Sequence, residues 1–297
     1  MTDVELRPVP QATGLSGVAA SRRRKNALFT LFMWSCAAIA MVPLVFITLY
    51  VVSKGASVLS VNFFTKEPAG PLNPAEGGIA PAFIGTFLMV GIATLIAVPL
   101  GVLTAVYLAE YGRGRFAGVV RVVAEVLLST PSIVAGAFIW SVVVVLLGNF
   151  SALAGALSLV VLMWPIVARA TEEILRLVPD ELREGALALG VARWKVILRV
   201  VIPTAGAGIL TAIMLAVARG LGETAPILLT ALGNDFFNVD PLKPTDAVPL
   251  RVYDYARTPV EALHSIAWGG ALVLLVSVLF LSIAARVLSS RQKKRTA

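Results

Sequence analysis

Arg219 and Glu223 stand four residues apart in the stretch Val200 to Asn234, which carries no other charge. If that stretch is a helix, the two side chains share a face. A charged group at the centre of a bilayer costs roughly 2.5–3.5 kcal/mol on insertion scales, so such groups face a bundle interior or a pathway. Two readings follow. The pair can be a structural ion pair that seals the bundle. Alternatively, the planar donors of Arg219 match the oxygens of a phosphate-like anion in a bidentate fork and line its path. In that second reading Glu223 neutralises Arg219 when no anion is present. It can also accept a hydrogen bond from a protonated phosphate oxygen, which sulfate does not offer. Gly220, Gly222 and Pro226 bracket the pair. They can kink the helix and free its amides, or they can simply allow close packing.

Other polar groups in apolar surroundings are fewer. Arg121 and Glu125 repeat the four-residue spacing where the third apolar run begins, and they read as interfacial anchors. Arg169 closes the fourth run and on spacing alone reads as a similar anchor. His264 lacks ligand partners nearby in sequence and reads as a helix-end residue. Cys36, the one cysteine, sits in an apolar run as a small buried hydrophobe. There is no Ser/His/Asp set, no metal-ligand cluster and no Gly-x-x-x-x-Gly-Lys-Ser/Thr phosphate loop. The expectation is a chain without catalysis, metal or cofactor of its own.

These groups must be held by membrane helices. Of 297 residues 58% are hydrophobic and 14% charged, against about a quarter charged in soluble domains. Mean hydropathy is +0.88. Residues 1–26 read as a mobile polar tail and 27–53 as a first span, too long for a signal-peptide core. Residues 54–76 form a Pro-containing loop, 77–286 a domain of five further spans, and 287–297 a basic tail. Val126 to Ala168 is uncharged and long enough for two helices, with Gly148-Asn149-Phe150-Ser151 as the turn between them. The fold class expected is all-α, a six-span integral membrane bundle. The net charge of +8 is distributed unevenly. The tail before the first span holds five Lys/Arg, residues 110–121 three, 169–199 six and the stretch from Arg286 five. The opposite loops together hold five. This bias places both termini and the 169–199 segment in the cytoplasm. It is not the footprint of a nucleic-acid binder.

Within that segment Asp180 is a candidate N-cap, Glu181 complements the helix dipole and Gly190 can end the helix in a left-handed conformation. The product is a short capped helix. It suits a groove on another protein, or a place on lipid, where Trp194, Lys195 and Arg199 would also be at home.

Glu184-Gly185-Ala186, then Gly190, then Ile202-Pro203 resembles the Glu-Ala-Ala loop of ABC importer permeases, with Gly185 in place of the usual first Ala. The resemblance implies a six-span type I permease bundle. Its coupling region, 172–200, would present Asp180, Glu181, Arg183, Glu184, Gly185, Ala186 and Gly190 to a cytoplasmic ATPase. Three further strings resemble a permease subunit of phosphate importers: Ala218 to Leu232 with its Gly-Glu-Thr-Ala-Pro, Pro131 to Gly136, and Gly77 to Thr86. That resemblance implies that Arg219 and Arg169 line or flank a phosphate route. It also implies three kinds of partner: a second permease subunit, an ATPase dimer carrying ATP and Mg, and an extracytoplasmic phosphate-binding protein. The rival readings are a permease for sulfate or molybdate, a self-contained channel or secondary carrier, and a membrane enzyme.

Overall fold

The computed structural model describes residues 15–70 and 76–296. Of the expected tail, residues 1–14 lie outside the described residues. From Leu15 onward the chain is helical, in keeping with the Ala, Arg and Lys it carries there, all good helix formers. Contacts divide the chain into residues 1–52 and 53–297.

The first unit is dominated by helix α1 (Leu15–Gly55), which contains Pro43. Two of its hydroxyls turn back on the helix, Ser35 donating to the Phe32 carbonyl at 2.8 Å and Thr48 to that of Leu44 at 2.7 Å. No polar group of those side chains is then left to face hydrocarbon. Cys36 is exposed on this helix, not buried; on a membrane span the apolar surroundings of a thiol can be lipid.

The second unit begins with a short helix, α2 (Val61–Thr65), capped by Ser60 accepting from the Phe63 amide. Helix α3 (Ala80–Val106) continues through a wide turn over Tyr107–Tyr111. Helix α4 (Arg115–Ser129) then bends by 108° into α5 (Ser132–Ile139), which runs on through a second wide turn to α6 (Val145–Leu147). The third apolar segment is therefore bent, with Arg115–Ser129 on one side of the break and Ser132–Leu147 on the other. Pro131 is the cause, since the residue before a proline is driven out of helical geometry, and Thr130 is extended (ψ 131°).

Helix α7 (Ala152–Arg176) follows, then α8 (Asp180–Ala188) and α9 (Arg193–Val196). A third wide turn leads into α10 (Ile202–Gly222), and the unit closes with α11 (Ala225–Thr230), α12 (Val248–Ala256) and α13 (Glu261–Thr296). Among the described residues there is no extended strand beyond an isolated bridge between Leu232 and Thr245. Five helices are long and apolar enough to cross a membrane, and six if the bent α4–α6 segment counts as one span.

Small residues set the register. A β-carbon on Gly155 would lie 2.5 Å from Met89 Sδ, and one on Gly101 2.7 Å from Val167 Cβ, so α3 and α7 run parallel. Gly208 abuts Ile174 and Gly220 abuts Met163, so α10 runs antiparallel to α7. The shared core contains Met89, Ala93, Ala97, Leu159, Met163, Val167 and Ala216. Close approach through small residues is how helices gain packing where lipid supplies no hydrophobic drive. Helix α13 packs along α10 and α12.

At the end away from α8, carbonyls of the end of α11 and of the loop after it receive the amides at the start of α7. Ser151 N–H donates to Thr230, Ala152 N–H to Lys243 and Leu153 N–H to Pro241. Orphan donors of a helix start are thus satisfied inside the protein.

Helix α11 meets α5 at Gly136, where a β-carbon would lie 2.6 Å from Pro226 Cα. The Pro131–Gly136 and Gly-Glu-Thr-Ala-Pro strings are therefore one contact. Gly136→Val should force the two helices apart at an overpacking cost of roughly 1–3 kcal/mol. The melting temperature of the purified protein in detergent is expected to fall by about 5 °C.

Candidate functional site

The fifth span is discontinuous. Helix α10 ends at Gly222, Glu223 is extended (φ −75°, ψ 127°), and α11 starts again at Ala225. Gly220 packs against Met163, which lies near the midpoint of α7. The break therefore sits halfway along the bundle. Arg219 Nε and Glu223 Oε1 pair across it at 3.0 Å, with side chains 44% and 14% exposed. The two residues meet as their spacing predicted, but Glu223 lies just past the helix, not within it. Gly222 has open space around it and Pro226 occupies the first turn of α11. Irregular backbone at membrane depth is tolerated where it is buried in protein or lines a cavity. An arginine beside such a break can offer its fork to an anion, with a carboxylate at hand to replace that anion when it leaves.

A second charged group lies at the α8 end. Glu172 on α7 is 1% exposed and receives three arginines: Arg121 at 2.8 Å, Arg169 at 2.7 Å and Arg176 at 2.6 Å. Arg169 also pairs with Glu125 at 3.0 Å, and Arg121 donates to the Leu108 carbonyl at 2.8 Å. The structure thus joins Arg121, Glu125 and Arg169 into one cluster, where the spacing alone suggested separate anchors. Arg169 and Arg176 stand three and four residues from Glu172 on the same helix, and Arg121 joins them from 51 residues away. Arg169 lies six residues along α7 from Met163, about 9 Å of helix rise.

The third group is α8 and its mount. Pro179 is the N-cap, and Asp180 makes no side-chain cap. The expected N-cap role of Asp180 is replaced by a bond from Arg183 at 2.9 Å, its carboxylate being drawn along the helix by that guanidinium. Glu181 lies in the first turn. Gly190 is left-handed (φ 78°), with its amide bonded to Leu187 and that of Val191 to Ala186, a closed C-terminal motif. Glu184 and Gly185 face outward, as do Leu182 and Leu187. Ala186 packs inward against the core of Ala105, Leu175, Val196 and Val201. Arg183 also points inward, to Glu110 at 3.0 Å. Glu110 and Arg183 border an open cavity with Asp180, Glu184, Leu187 and Arg193.

At the opposite end Arg251 holds Asp246 and Asp235, each at 2.6 Å. Burial pushes the Asp246 carboxyl up to about 6 against the pull of that guanidinium. His264 bonds the Thr258 carbonyl at 2.7 Å near the start of α13, as a helix-end residue does. Among the described residues no group of His, Cys, Asp and Glu is arranged to hold a metal.

A bundle of apolar spans with a discontinuous helix and an exposed, braced helix at one end defines a membrane permease. The chain belongs to the binding-protein-dependent transport system inner membrane components, whose family model matches residues 97–294. It is 41% identical over 273 residues to the phosphate transport system permease protein PstA of Yersinia pestis, covering 92% of each chain. It is 45% identical over 244 residues to PstA of Xylella fastidiosa (82% of this chain, 84% of that one). With PstA 1 of Mycobacterium tuberculosis it shares 41% over 280 residues (92% and 91%). Its fold is similar to that of the inward-facing MetNI methionine ABC transporter: TM-score 0.56, 19% identity, covering 72% of this chain and 94% of that one. It is also similar to a bacterial ABC transporter for the acidic polysaccharide alginate: TM-score 0.57, 14% identity, 91% and 99% covered. The expected type I permease fold is thereby found.

Proposed function

We propose that this chain is the PstA-like permease subunit of an ATP-driven importer and passes inorganic phosphate across the cytoplasmic membrane. The observation that carries the reading is the break in the fifth span with Arg219 and Glu223 paired across it at 3.0 Å. Similarity to relatives named as phosphate permeases supports the choice of anion. Arg219 offers its donors to phosphate and Glu223 returns to Arg219 once phosphate has moved on. Arg169, already held between two carboxylates, receives the anion further along α7. Gly220, Gly222 and Pro226 give the span its hinge. The Lys/Arg bias sets both termini and α8 in the cytoplasm.

The chain works with a second, PstC-like permease subunit, a PstB-like ATPase dimer carrying ATP and Mg, and a PstS-like phosphate-binding protein on the outer side. It binds no cofactor and does no covalent chemistry. Helix α8 seats in the ATPase through its outward face of Glu181, Leu182, Glu184 and Gly185.

Uptake of radiolabelled phosphate at low external concentration tests the reading. Cells lacking only this chain should lose high-affinity uptake and regain it with the chain; sulfate uptake lost in its place would reject phosphate as the substrate. Gly185→Trp tests the seat of α8. It adds a bulky ring where the structure leaves open space, so the chain should fold normally but fail to retain ATPase on purification.

A further inference from the structure

A helix that transmits motion must be fixed to what it moves. Helix α8 has no fully buried side chain of its own. Its covalent link to α7 runs through Leu177, Val178 and Pro179 (φ −58°, ψ 140°), and a non-helical link leaves the angle of α8 to be fixed by other contacts. Arg183 braces it. The side chain is 17% exposed and pairs with Glu110 at 3.0 Å. It donates to the Val178 carbonyl at 2.5 Å and to the Leu175 carbonyl at 2.7 Å. One planar guanidinium therefore reaches across that link to the end of α7 and sideways to the turn that ends α3. Lysine has no such fork. Glu110 is 7% exposed and gathers a second arm. Its carbonyl accepts from Arg193, whose guanidinium also lies 5.1 Å from the centre of the Tyr111 ring. Arg193 opens α9, which runs into α10 and so toward the break at Glu223.

We propose that Arg183 and Glu110 are positioning residues for transport: they lock α8 to the ends of α3 and α7, so that a displacement of α8 becomes a displacement of the spans. The assignment rests on the reading of α8 as the ATPase seat. Without the brace α8 still docks, the ATPase still turns over, and the motion is lost at the link through Pro179.

The test uses the complete transporter in proteoliposomes, with phosphate uptake and ATP hydrolysis measured on the same preparation. Arg183→Ala and Glu110→Gln should assemble with ATPase, hydrolyse ATP, and move at least tenfold less phosphate per ATP. Arg183→Lys keeps the charge but not the fork, and should recover only part of that ratio. A merely structural role would lower uptake and hydrolysis together and leave the ratio alone. An unchanged ratio overturns the proposal, and so does failure of all three variants to assemble, because the bonds would then belong to folding only. If Arg183→Ala alone fails to assemble, the ratio in the other two variants decides in the same way. Gly185→Trp separates this proposal from the docking reading. Loss of ATPase there with an unchanged ratio in the Arg183 series rejects the brace and keeps the seat. Retention of ATPase there rejects the seat and the brace with it.

Discussion

Glu172→Ala is expected to destabilise the folded chain more than any other single change at the α8 end. Glu172 is 1% exposed and is the carboxylate on which Arg121, Arg169 and Arg176 converge within 2.6–2.8 Å. Removing it leaves three guanidiniums facing one another, with Glu125 alone to balance them at 3.0 Å from Arg169. Breaking a buried pair by deleting one partner costs about 3–5 kcal/mol. For a chain of this size that corresponds to a fall of roughly 10 °C in melting temperature, readable by thermal aggregation in detergent. Glu172→Gln keeps the shape and one acceptor, so its fall should be smaller. Deleting Arg176 in the Glu172→Ala background should restore part of the loss, because Arg176 is the most exposed of the three and its charge is the easiest to do without. Equal melting temperatures for wild type and Glu172→Ala would mean that the arginines find water on their own, and the cluster would not be a fastening.

Glu172 also shows which parts of the molecule could be seen in the sequence. Spans were legible because runs such as Gly77 to Ala109 and Ala262 to Ala285 exclude charge for longer than a bilayer is thick. The Arg219–Glu223 pair was legible because both partners lie four residues apart in such a run. The end of α8 was legible because Gly190 marks it locally. Glu172 and Glu110 were not, since each sits at the border of an apolar run where a charge is ordinary. Arg121 reaches Glu172 from 51 residues away and Arg183 reaches Glu110 from 73, beyond any local period, whereas Arg169 and Arg176 stand only three and four residues from Glu172. Arg183 shows the same limit from the other side. Its place within the Glu-Gly-Ala helix suggested the ATPase face, whereas the fold turns it inward to Glu110. The bend before α5 follows from Pro131, which breaks the uncharged run that starts at Val126. By residue type Asp180 is a helix cap; the backbone instead caps at Pro179, and Arg183 claims the carboxylate.

Arg219→Gln is expected to give the largest functional loss with the least structural one. The side chain is 44% exposed within this chain, its carboxylate partner is the only ion pair it makes among the described residues, and α10 has already ended three residues later. Little of the fold depends on it. What depends on it, if phosphate passes the break, is a charged fork at mid-bundle. Hydrogen bonds to charged groups contribute about 1.5–3 kcal/mol each, so losing the guanidinium should lower phosphate uptake by roughly ten- to hundredfold per bond. Retention of ATPase and melting temperature should stay near wild type. Glu223→Gln separates the two duties of the carboxylate. An amide cannot neutralise Arg219, so the anion should be released more slowly and turnover should fall. Its oxygen can still accept from a protonated phosphate oxygen, so preference over sulfate should persist. Glu223→Ala removes both functions, and sulfate should then compete with phosphate measurably. If Arg219→Gln costs assembly while the few complexes that form transport normally, the pair is a structural seal, and the route for the anion must be sought on another face of α10.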